Sequence, residues 1–248
     1  MTLKNVVFVV LLAASLFGTA ATHSVGAAVA ATEGGWVALF DGHSLDGWSA
    51  SEHAASCRVE DSVIVVGGGG RSHLYYTGPE QDHDFRDFEL KFQAKTEPGS
   101  NSGVFIHTEY QETDWPKKGY EAQVNNTQED WRKTGSLYDV EDIRQSPVDD
   151  GEWFDYHIIV RGKRIILKVN GETTVDYTEP DDAARPEERS GRVLSSGTFA
   201  LQAHDPGSTV YFRDIHVKPL PEQSSVGRQA THRRNRRIRS CGCCELVR

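Results

Sequence analysis

Apolar and polar residues alternate with a period of two along most of the chain between residues 32 and 221. Residues 87–95 are the clearest case, with four apolar side chains on one face and charged or amide side chains on the other. This pattern is typical of a half-buried β-strand, because successive side chains in a strand point to opposite sides. Nine further runs predict strands: 36–40, 62–66, 103–107, 120–124, 156–160, 165–169, 173–177, 198–203 and 210–217.

Turn-forming residues separate these runs, notably at 97–99, at 161–163 and at Asn170-Gly171. Asn-Gly between two alternating runs is a strong hairpin signal, because both central residues of a type I′ turn need a positive φ. A helical period is confined to one or two turns near residues 182–189. Many strands joined by hairpin turns predict an all-β protein, an antiparallel β-sandwich, and residues 32–221 are long enough for one such domain.

The cysteines do not form a disulfide framework, since Cys57 stands alone and Cys241, Cys243 and Cys244 crowd the C-terminus. The C-terminal cluster also lacks the spacing of a zinc site. The fold must therefore be held together by hydrophobic burial, for which five Trp, ten Phe and eight Tyr provide the material.

The first 31 residues resemble a secretory signal peptide. Lys4 precedes an apolar run over residues 6–17, and small residues continue to Ala30. The apolar run is shorter than the roughly 20 residues that span a bilayer. We expect cleavage near Ala21 or Ala31, and export to the periplasm or the extracellular space.

The charge of the chain is unevenly distributed. The formal total is −9, but residues 222–248 carry +5 and the leader carries +1, which leaves −15 on residues 32–221. The negative charge of residues 32–221 argues against nucleic-acid partners and against binding to anionic membrane surfaces. The Arg-rich, Cys-containing tail at 222–248 has few apolar residues and is expected to be disordered, with a functional basic arm as the alternative.

Short sequence blocks in a fixed order resemble the 3-keto-disaccharide hydrolase domain family, and together they extend over residues 36–220. They are Leu39-Phe40-Asp41-Gly42, Leu45-Asp46-Gly47-Trp48, Asn101-Ser102-Gly103-Val104-Phe105, Gly119-Tyr120-Glu121-Ala122-Gln123-Val124, Thr134-Gly135-Ser136-Leu137-Tyr138, Gly151-Glu152-Trp153, Val169-Asn170-Gly171, Leu201-Gln202-Ala203-His204 and Phe212-Arg213-Asp214-Ile215. The resemblance implies a concanavalin A-like jelly roll of two antiparallel sheets with sugar on a concave face. It also implies a hydrolase whose partner is an oxidised di- or oligosaccharide.

Alternation along four runs turns several polar side chains away from the core. If these strands share one sheet, its polar face collects His107, Glu121, Gln123, Gln202, His204, Tyr211 and Arg213. Tyr138, after a Gly-containing turn, is a further candidate for sugar binding. The alternation breaks after Arg213, which predicts a bulge near Asp214. His43, His53, His73 and His83 lack metal-ligand spacing and are expected at the surface.

An ordinary glycosidase needs two carboxylates, and the glucanase-like second position is occupied by Gln123. A sugar oxidised at C3 needs only one base, because its carbonyl acidifies the C2 hydrogen and allows the C1 substituent to be eliminated. Glu121 or His204 is expected to be that base, with Arg213 or a bound divalent cation stabilising the enolate. No other cofactor is indicated, and His107, Gln123, Tyr138, Gln202 and Tyr211 are expected to bind the sugar.

Several alternatives remain open at this level. Arg213 is equally well placed to form a structural ion pair with Glu121. A carbohydrate-binding module without catalysis would use the same fold and the same face, and a scaffolding domain would account for the basic tail.

N-terminal sequencing of the exported protein tests the leader. We expect a mature chain that begins near Ala21 or Ala31, because signal peptidase cuts after small residues. A mature protein that still begins at Met1 would contradict this prediction.

Overall fold

The computed structural model describes residues 34–221, in which two antiparallel β-sheets pack face to face. Its strands are β1 Val37–Ala38, β2 Trp48–Ala50, β3 Cys57–Glu60, β4 Val63–Gly67, β5 Ser72–Tyr76, β6 Phe88–Thr96, β7 Asn101–Thr108, β8 Tyr120–Asn125, β9 Phe154–Arg161, β10 Arg164–Val169, β11 Glu172–Thr178, β12 Thr198–Ala203 and β13 Thr209–Pro219. The expected leader and tail lie outside the described residues.

One sheet has eight strands and the other has five. The larger sheet has the order β11-β10-β9-β6-β13-β4-β3, with β1 paired to β13, and the smaller one has the order β2-β5-β12-β7-β8. The antiparallel β-sandwich predicted from the alternation is therefore confirmed. All ten predicted runs overlap a strand, whereas β2, β3 and β5 were not predicted.

Two local predictions are also confirmed. The β10–β11 turn has φ of 49° at Asn170 and 85° at Gly171, which are the two positive values that a type I′ hairpin requires. In the β6–β13 pair the register shifts between Arg213 and His216, and Asp214 has a φ of 53°. This bulge lets Ile215 and Val217 return to the buried face after Phe212.

The core fills the space between the two sheets. Alternate residues of facing strands meet there, including Phe88, Ile158 and Phe212 from the larger sheet and Leu74 and Ile106 from the smaller one. The described chain contains Cys57 as a buried free thiol, and burial raises its pKa to about 11. Hydrophobic burial, as expected from the cysteine count, holds this domain together.

The outer faces of the two sheets differ. In the larger sheet, β6 and β9 alternate between buried and more exposed residues. In the smaller sheet, every residue of β5, β7, β8 and β12 is buried. Three long connections lie on this side and are named the Trp115 loop (residues 109–119), the Tyr138 loop (residues 126–153) and the Arg192 loop (residues 179–197).

Helical structure in residues 34–221 consists of the single-turn segments Ala54–Ser56, Glu80–His83 and Glu187–Arg189. Within the same residues no helix has the length and hydropathy needed to cross a membrane.

Two neighbouring isoleucines on β9 test the alternation. Ile158 faces the core and is fully buried, whereas Ile159 points outward and is half-buried. We expect Ile158→Ala to lower the free energy of unfolding by about 2–5 kcal/mol, because it leaves a cavity in the core. Ile159→Ala should cost clearly less in the same urea denaturation experiment. Equal losses would show that the assignment of faces is wrong.

Candidate functional site

A cavity of about 340 Å³ lies on the outer face of the five-stranded sheet. The three loops form its walls, and strands β7, β8 and β12 form its floor. Five of the site residues predicted from the sequence line it: Glu121, Gln123, Tyr138, Gln202 and His204. Its volume falls within the range of about 300–1,000 Å³ that small-molecule sites occupy.

The prediction for Arg213 and Tyr211 is wrong. Both lie on β13, which pairs with β4 and β6 in the eight-stranded sheet, so the assumption of a shared sheet fails. Arg213 donates from Nε to Gln93 Oε1 at 2.8 Å, and its guanidinium lies 4.0 Å from the centre of the Trp153 ring. These contacts also rule out an ion pair with Glu121.

The prediction for His107 is also wrong. Its φ of 54° interrupts the alternation of β7, so the ring packs edge to face against Phe88 at 5.6 Å between centroids. The Ser195 N–H donates to Nδ1 (3.3 Å), which leaves Nε2–H to donate to the Arg86 carbonyl (2.8 Å). Burial lowers the pKa of His107. The residue therefore joins β7 to neighbouring segments as a neutral imidazole.

Glu121 lies on the cavity floor, and only 6% of its surface is exposed. Its side chain extends across β7 above Gly103, where an added Cβ would stand 2.3 Å from Oε1. Gln202 reaches across from β12 and donates from Nε2 to the same Oε1 at 3.0 Å. The absence of a side chain at Gly103 thus provides the space in which the carboxyl group is held.

The Gln123 amide lies between Glu121 and Asn101. Its nitrogen donates to Asn101 Oδ1 at 3.0 Å, and turning the amide over brings the nitrogen to 3.3 Å from Glu121 Oε1. Gln123 stands where an ordinary glycosidase would have its second carboxylate. Its amide can exchange hydrogen bonds with the carboxyl group of Glu121, but it cannot ionise.

Burial raises the pKa of Glu121 to about 7. The charge of Arg192 and the hydrogen bond from Gln202 act in the opposite direction, and Asp130 adds to the increase. A carboxyl group that exchanges its proton near neutral pH is suited to general acid–base chemistry.

Arg192 and the loop that carries it were not predicted from the sequence. Its Nη1 donates to the Tyr138 carbonyl at 2.6 Å, and its guanidinium lies 5.5 Å from the centre of the Tyr138 ring. Burial lowers the pKa of this guanidinium, and the nearby Glu121 partly offsets that effect, but an arginine remains charged at neutral pH. The segment around Arg192 has no clear strand or helix period, so nothing in the sequence pattern indicated this cation.

His204 lies at the end of β12 and is held by Asp205. Its Nδ1 is 2.7 Å from Asp205 Oδ2, and the same oxygen accepts from Ser208 Oγ at 2.8 Å. Burial raises the pKa of Asp205, but its hydrogen bonds from His204, Ser208 and Gly207 outweigh burial and the net shift is downward. The ionised carboxylate fixes the imidazole with Nε2 on the side away from Asp205.

The Trp115 loop forms the wall of the cavity beside His204. The Trp115 ring lies 5.3 Å from His204 and 5.6 Å from His73, measured between centroids. The expectation that His73 lies at the surface is wrong, because β5 is covered by this loop and His73 is fully buried. The loop also meets the Arg192 loop, where the Gly119 N–H donates to the Gly191 carbonyl at 2.9 Å.

The described residues do not form an evident metal site. Within residues 34–221 no group of three or more His, Cys, Asp or Glu side chains is arranged to hold a metal ion. The divalent cation expected from the sequence therefore does not fit this donor set.

The cavity thus brings together three kinds of group. Glu121 is a buried carboxyl group that can take up a proton, and His204 is an oriented imidazole. Arg192 contributes a positive charge from the Arg192 loop, which lines the same cavity. A base, a second proton carrier and a fixed cation beside aromatic surface can abstract a proton next to a carbonyl and stabilise the resulting enolate.

The raised pKa of Glu121 makes stability depend on pH. Because the folded state binds the proton more tightly than the unfolded chain, stability falls as pH rises from about 4.5 to about 7. Glu121→Gln removes this loss. We therefore expect the free energy of unfolding of the variant to exceed that of the wild type by up to about 3 kcal/mol near pH 8 and to match it near pH 4. Urea denaturation at both pH values measures this. Glu129→Gln, an exposed carboxylate in the next loop, is the control, and an equal gain there would contradict the assignment.

Comparisons with known proteins show which family this chain belongs to. A 3-keto-disaccharide hydrolase of Bacteroides thetaiotaomicron is 25% identical to this chain, and the match covers 75% of this chain and 79% of that protein. A crystal structure of a candidate glycosyl hydrolase from Parabacteroides distasonis has a TM-score of 0.64 and 24% identity, and it covers 75% of this chain and 94% of that one. A second such structure from the same organism has a TM-score of 0.59 and 23% identity, over 75% and 99%. The family model described as a 3-keto-alpha-glucoside-1,2-lyase-like domain matches residues 35–218, and this chain therefore belongs to that family.

Proposed function

We propose that this protein cleaves the glycosidic bond of 3-keto-glycosides by elimination followed by hydration. The observation that carries the proposal is Glu121, a buried carboxyl group with a pKa of about 7 on the floor of a cavity of suitable size. The family description and the name of the Bacteroides relative point to the same substrate class.

In the first step the Glu121 carboxylate removes the hydrogen from C2 of the oxidised sugar. The electron pair of the C2–H bond moves towards C3, and negative charge accumulates on the carbonyl oxygen. Arg192 lines the same cavity from the Arg192 loop and stabilises this enolate oxygen by its charge. The base needs no second carboxylate beside it, which accords with an amide at Gln123.

In the second step the bond between C1 and the glycosidic oxygen breaks. The electron pair of the enolate forms the C1–C2 double bond, and the leaving oxygen takes a proton from Nε2 of His204. Asp205 holds His204 through Nδ1, so the ring is oriented before the substrate arrives. The leaving sugar is released as a neutral alcohol, and the other product is an unsaturated 3-keto-sugar.

Hydration then completes the reaction. Water adds its oxygen to C1, the proton held on Glu121 returns to C2, and the proton released by the water restores His204. The net result is hydrolysis, with one water consumed and both side chains returned to their starting states.

A binding module without catalysis does not require a carboxyl group whose ionisation is destabilised by burial. Such a group lowers stability at neutral pH, and sugar hydroxyls are bound equally well by neutral amides. The burial of Glu121 therefore favours an enzyme over the lectin-like alternative. We also propose that the protein acts outside the cytoplasm, on the strength of the leader sequence at residues 1–31.

Substitutions in the purified mature domain test the proposal. We expect Glu121→Gln and His204→Ala each to lower kcat on a 3-keto-glucoside by at least about 10²-fold, because each removes a proton-transfer group. Arg192→Gln should also lower kcat, whereas Arg213→Ala, on the other sheet, should leave it unchanged. Wild-type activity should rise with pH through about 7 as Glu121 ionises.

The unoxidised parent glycoside is the control substrate. Cleavage of the parent at the same rate as the keto form would contradict the elimination mechanism. Binding of oligosaccharide without release of sugar from either substrate would favour the lectin-like module. Circular dichroism of each variant checks that the fold is retained.

A further inference from the structure

Two aromatic side chains of the Trp115 loop lie directly on two buried residues of β5. The Tyr110 ring meets Tyr75 edge to face at 5.3 Å, and the Trp115 ring meets His73 edge to face at 5.6 Å. Tyr110 and Trp115 are 48% and 39% exposed, whereas Tyr75 and His73 are not exposed at all. The loop therefore covers a polar part of the sheet that would otherwise be open.

The covered groups lack hydrogen-bond partners. Within residues 34–221, both ring nitrogens of His73, the hydroxyl of Tyr75 and Oε1 of Gln202 are buried and unpaired. His73 is directly opposite Gln202 in the pairing of β5 with β12, so these atoms lie close together on adjacent strands. Buried polar groups are nearly always hydrogen-bonded, because leaving them unpaired costs free energy. A cluster of four unpaired polar atoms indicates a missing ligand.

The chemistry of this cluster fits an uncharged sugar ring. Burial lowers the pKa of His73 to about 3, so its imidazole is neutral and offers one donor and one acceptor. The Tyr75 hydroxyl and the Gln202 amide oxygen add further donors and acceptors without charge. Phe105 and Trp115 contact His73 and offer apolar ring surface beside these polar atoms. Sugar hydroxyls need such donors and acceptors, and the C–H groups of the ring need such a surface.

His73 and Tyr75 lie beyond the reaction centre, on the far side of β12 from Glu121, and Gln202 lies between them and Glu121. Strand β5 is three positions from β8 in the sheet, which is about 14 Å at the usual spacing between strands. Glu121 stands on β8, and His204 stands at the end of β12 between the two. In the proposed mechanism His204 protonates the glycosidic oxygen, so a sugar on Glu121 directs this oxygen towards β12 and the next sugar extends towards β5.

We propose that His73, Tyr75 and Gln202 form a second subsite beneath Tyr110 and Trp115 that binds the leaving sugar of a disaccharide. This inference rests on the proposed function. The sugar enters when the Trp115 loop lifts, because the loop now covers the subsite.

The contacts that hold the loop down are suited to opening. Arg71 pairs with Glu52 at 2.9 Å and with Asp114 at 3.5 Å, and the Asp114 N–H donates to Glu52 Oε1 at 3.1 Å. These ion pairs are partly exposed to solvent, and pairs of that kind contribute little to stability. Displacing the loop also breaks the hydrogen bond from the Glu52 N–H to the Glu112 carbonyl, but none of residues 109–119 belongs to the core between the sheets.

Two variants and two substrates test the subsite. His73→Phe and Tyr75→Phe remove the polar groups and keep the ring shape. We expect each to lower kcat/KM on a 3-keto-disaccharide by about tenfold or more. On methyl 3-keto-glucoside, whose leaving group is too small to reach β5, both should stay within about twofold of the wild type. His43→Phe, at an exposed position, is the matched control and should change neither rate.

Equal losses on both substrates, or no loss on either, would overturn the subsite while leaving the proposed function intact. Calorimetric binding of the unoxidised parent disaccharide needs no turnover, so it tests the subsite even if the proposed function fails. The wild type should bind this disaccharide about tenfold more tightly than either variant. Equal affinities, or no binding by the wild type, would overturn the inference. Unchanged melting temperatures of the variants exclude unfolding as the cause of a loss.

Discussion

The burial of both faces of the five-stranded sheet is the constraint on which the site depends. An antiparallel sheet usually leaves one face to water, as the eight-stranded sheet does here. In the smaller sheet the three loops cover the outer face, and polar side chains that would normally be solvated are buried there. Glu121 is thereby largely buried, and its ionisation is shifted towards neutral pH. The unpaired state of His73 has the same origin.

The burial of Glu121 lowers the stability of the domain at neutral pH and makes the carboxyl group suitable for proton transfer. A carboxyl group whose pKa is raised from 4.5 to about 7 costs about 3 kcal/mol when it is ionised, which is a large part of the 5–15 kcal/mol that stabilises a typical domain. The hydrogen bond from Gln202 and the charge of Arg192 keep the cost from being larger. The core between the sheets supplies the compensating burial, and it contains none of the site residues.

The sequence predicted most strands, including β7, β8 and β12 with two buried faces, but it missed β5. Apolar and polar residues alternate along β6 and β9, and both strands were predicted. The sequence of β5 is Ser-His-Leu-Tyr-Tyr, which shows no such alternation, because the Trp115 loop buries its second face. Side chains within one strand were placed correctly, as for Glu121 and Gln202. The sharing of a sheet was predicted correctly for β7, β8 and β12, but alternation carries no information on pairing, and Arg213 on β13 was therefore assigned to the wrong sheet.

His107 shows a different limit. Its assignment failed because one positive φ in β7 reverses the direction of the side chain, and nothing in the local pattern signals that change. Arg192 was missed for a related reason, since its position is fixed by contacts distant in sequence. A side chain carried by a long loop takes its place from tertiary hydrogen bonds, which alternation does not encode.

A chain of hydrogen bonds that begins and ends on β8 sets the position of Arg192. Tyr120 donates to Glu179, and Glu179 in turn accepts from the Leu194 N–H at 2.8 Å, which anchors the Arg192 loop. Arg192 then donates to the Tyr138 carbonyl, and the Tyr138 N–H donates to the Glu121 carbonyl at 2.9 Å.

Because Tyr120 and Glu121 are consecutive residues, their side chains leave β8 on opposite faces. One strand thus holds the loop from the inner face and presents the carboxyl group on the outer face. Within residues 34–221 no ion pair shorter than 4.0 Å joins Glu121 and Arg192, although each influences the pKa of the other. The two groups therefore interact through their charges over more than 4.0 Å, and both line the same cavity.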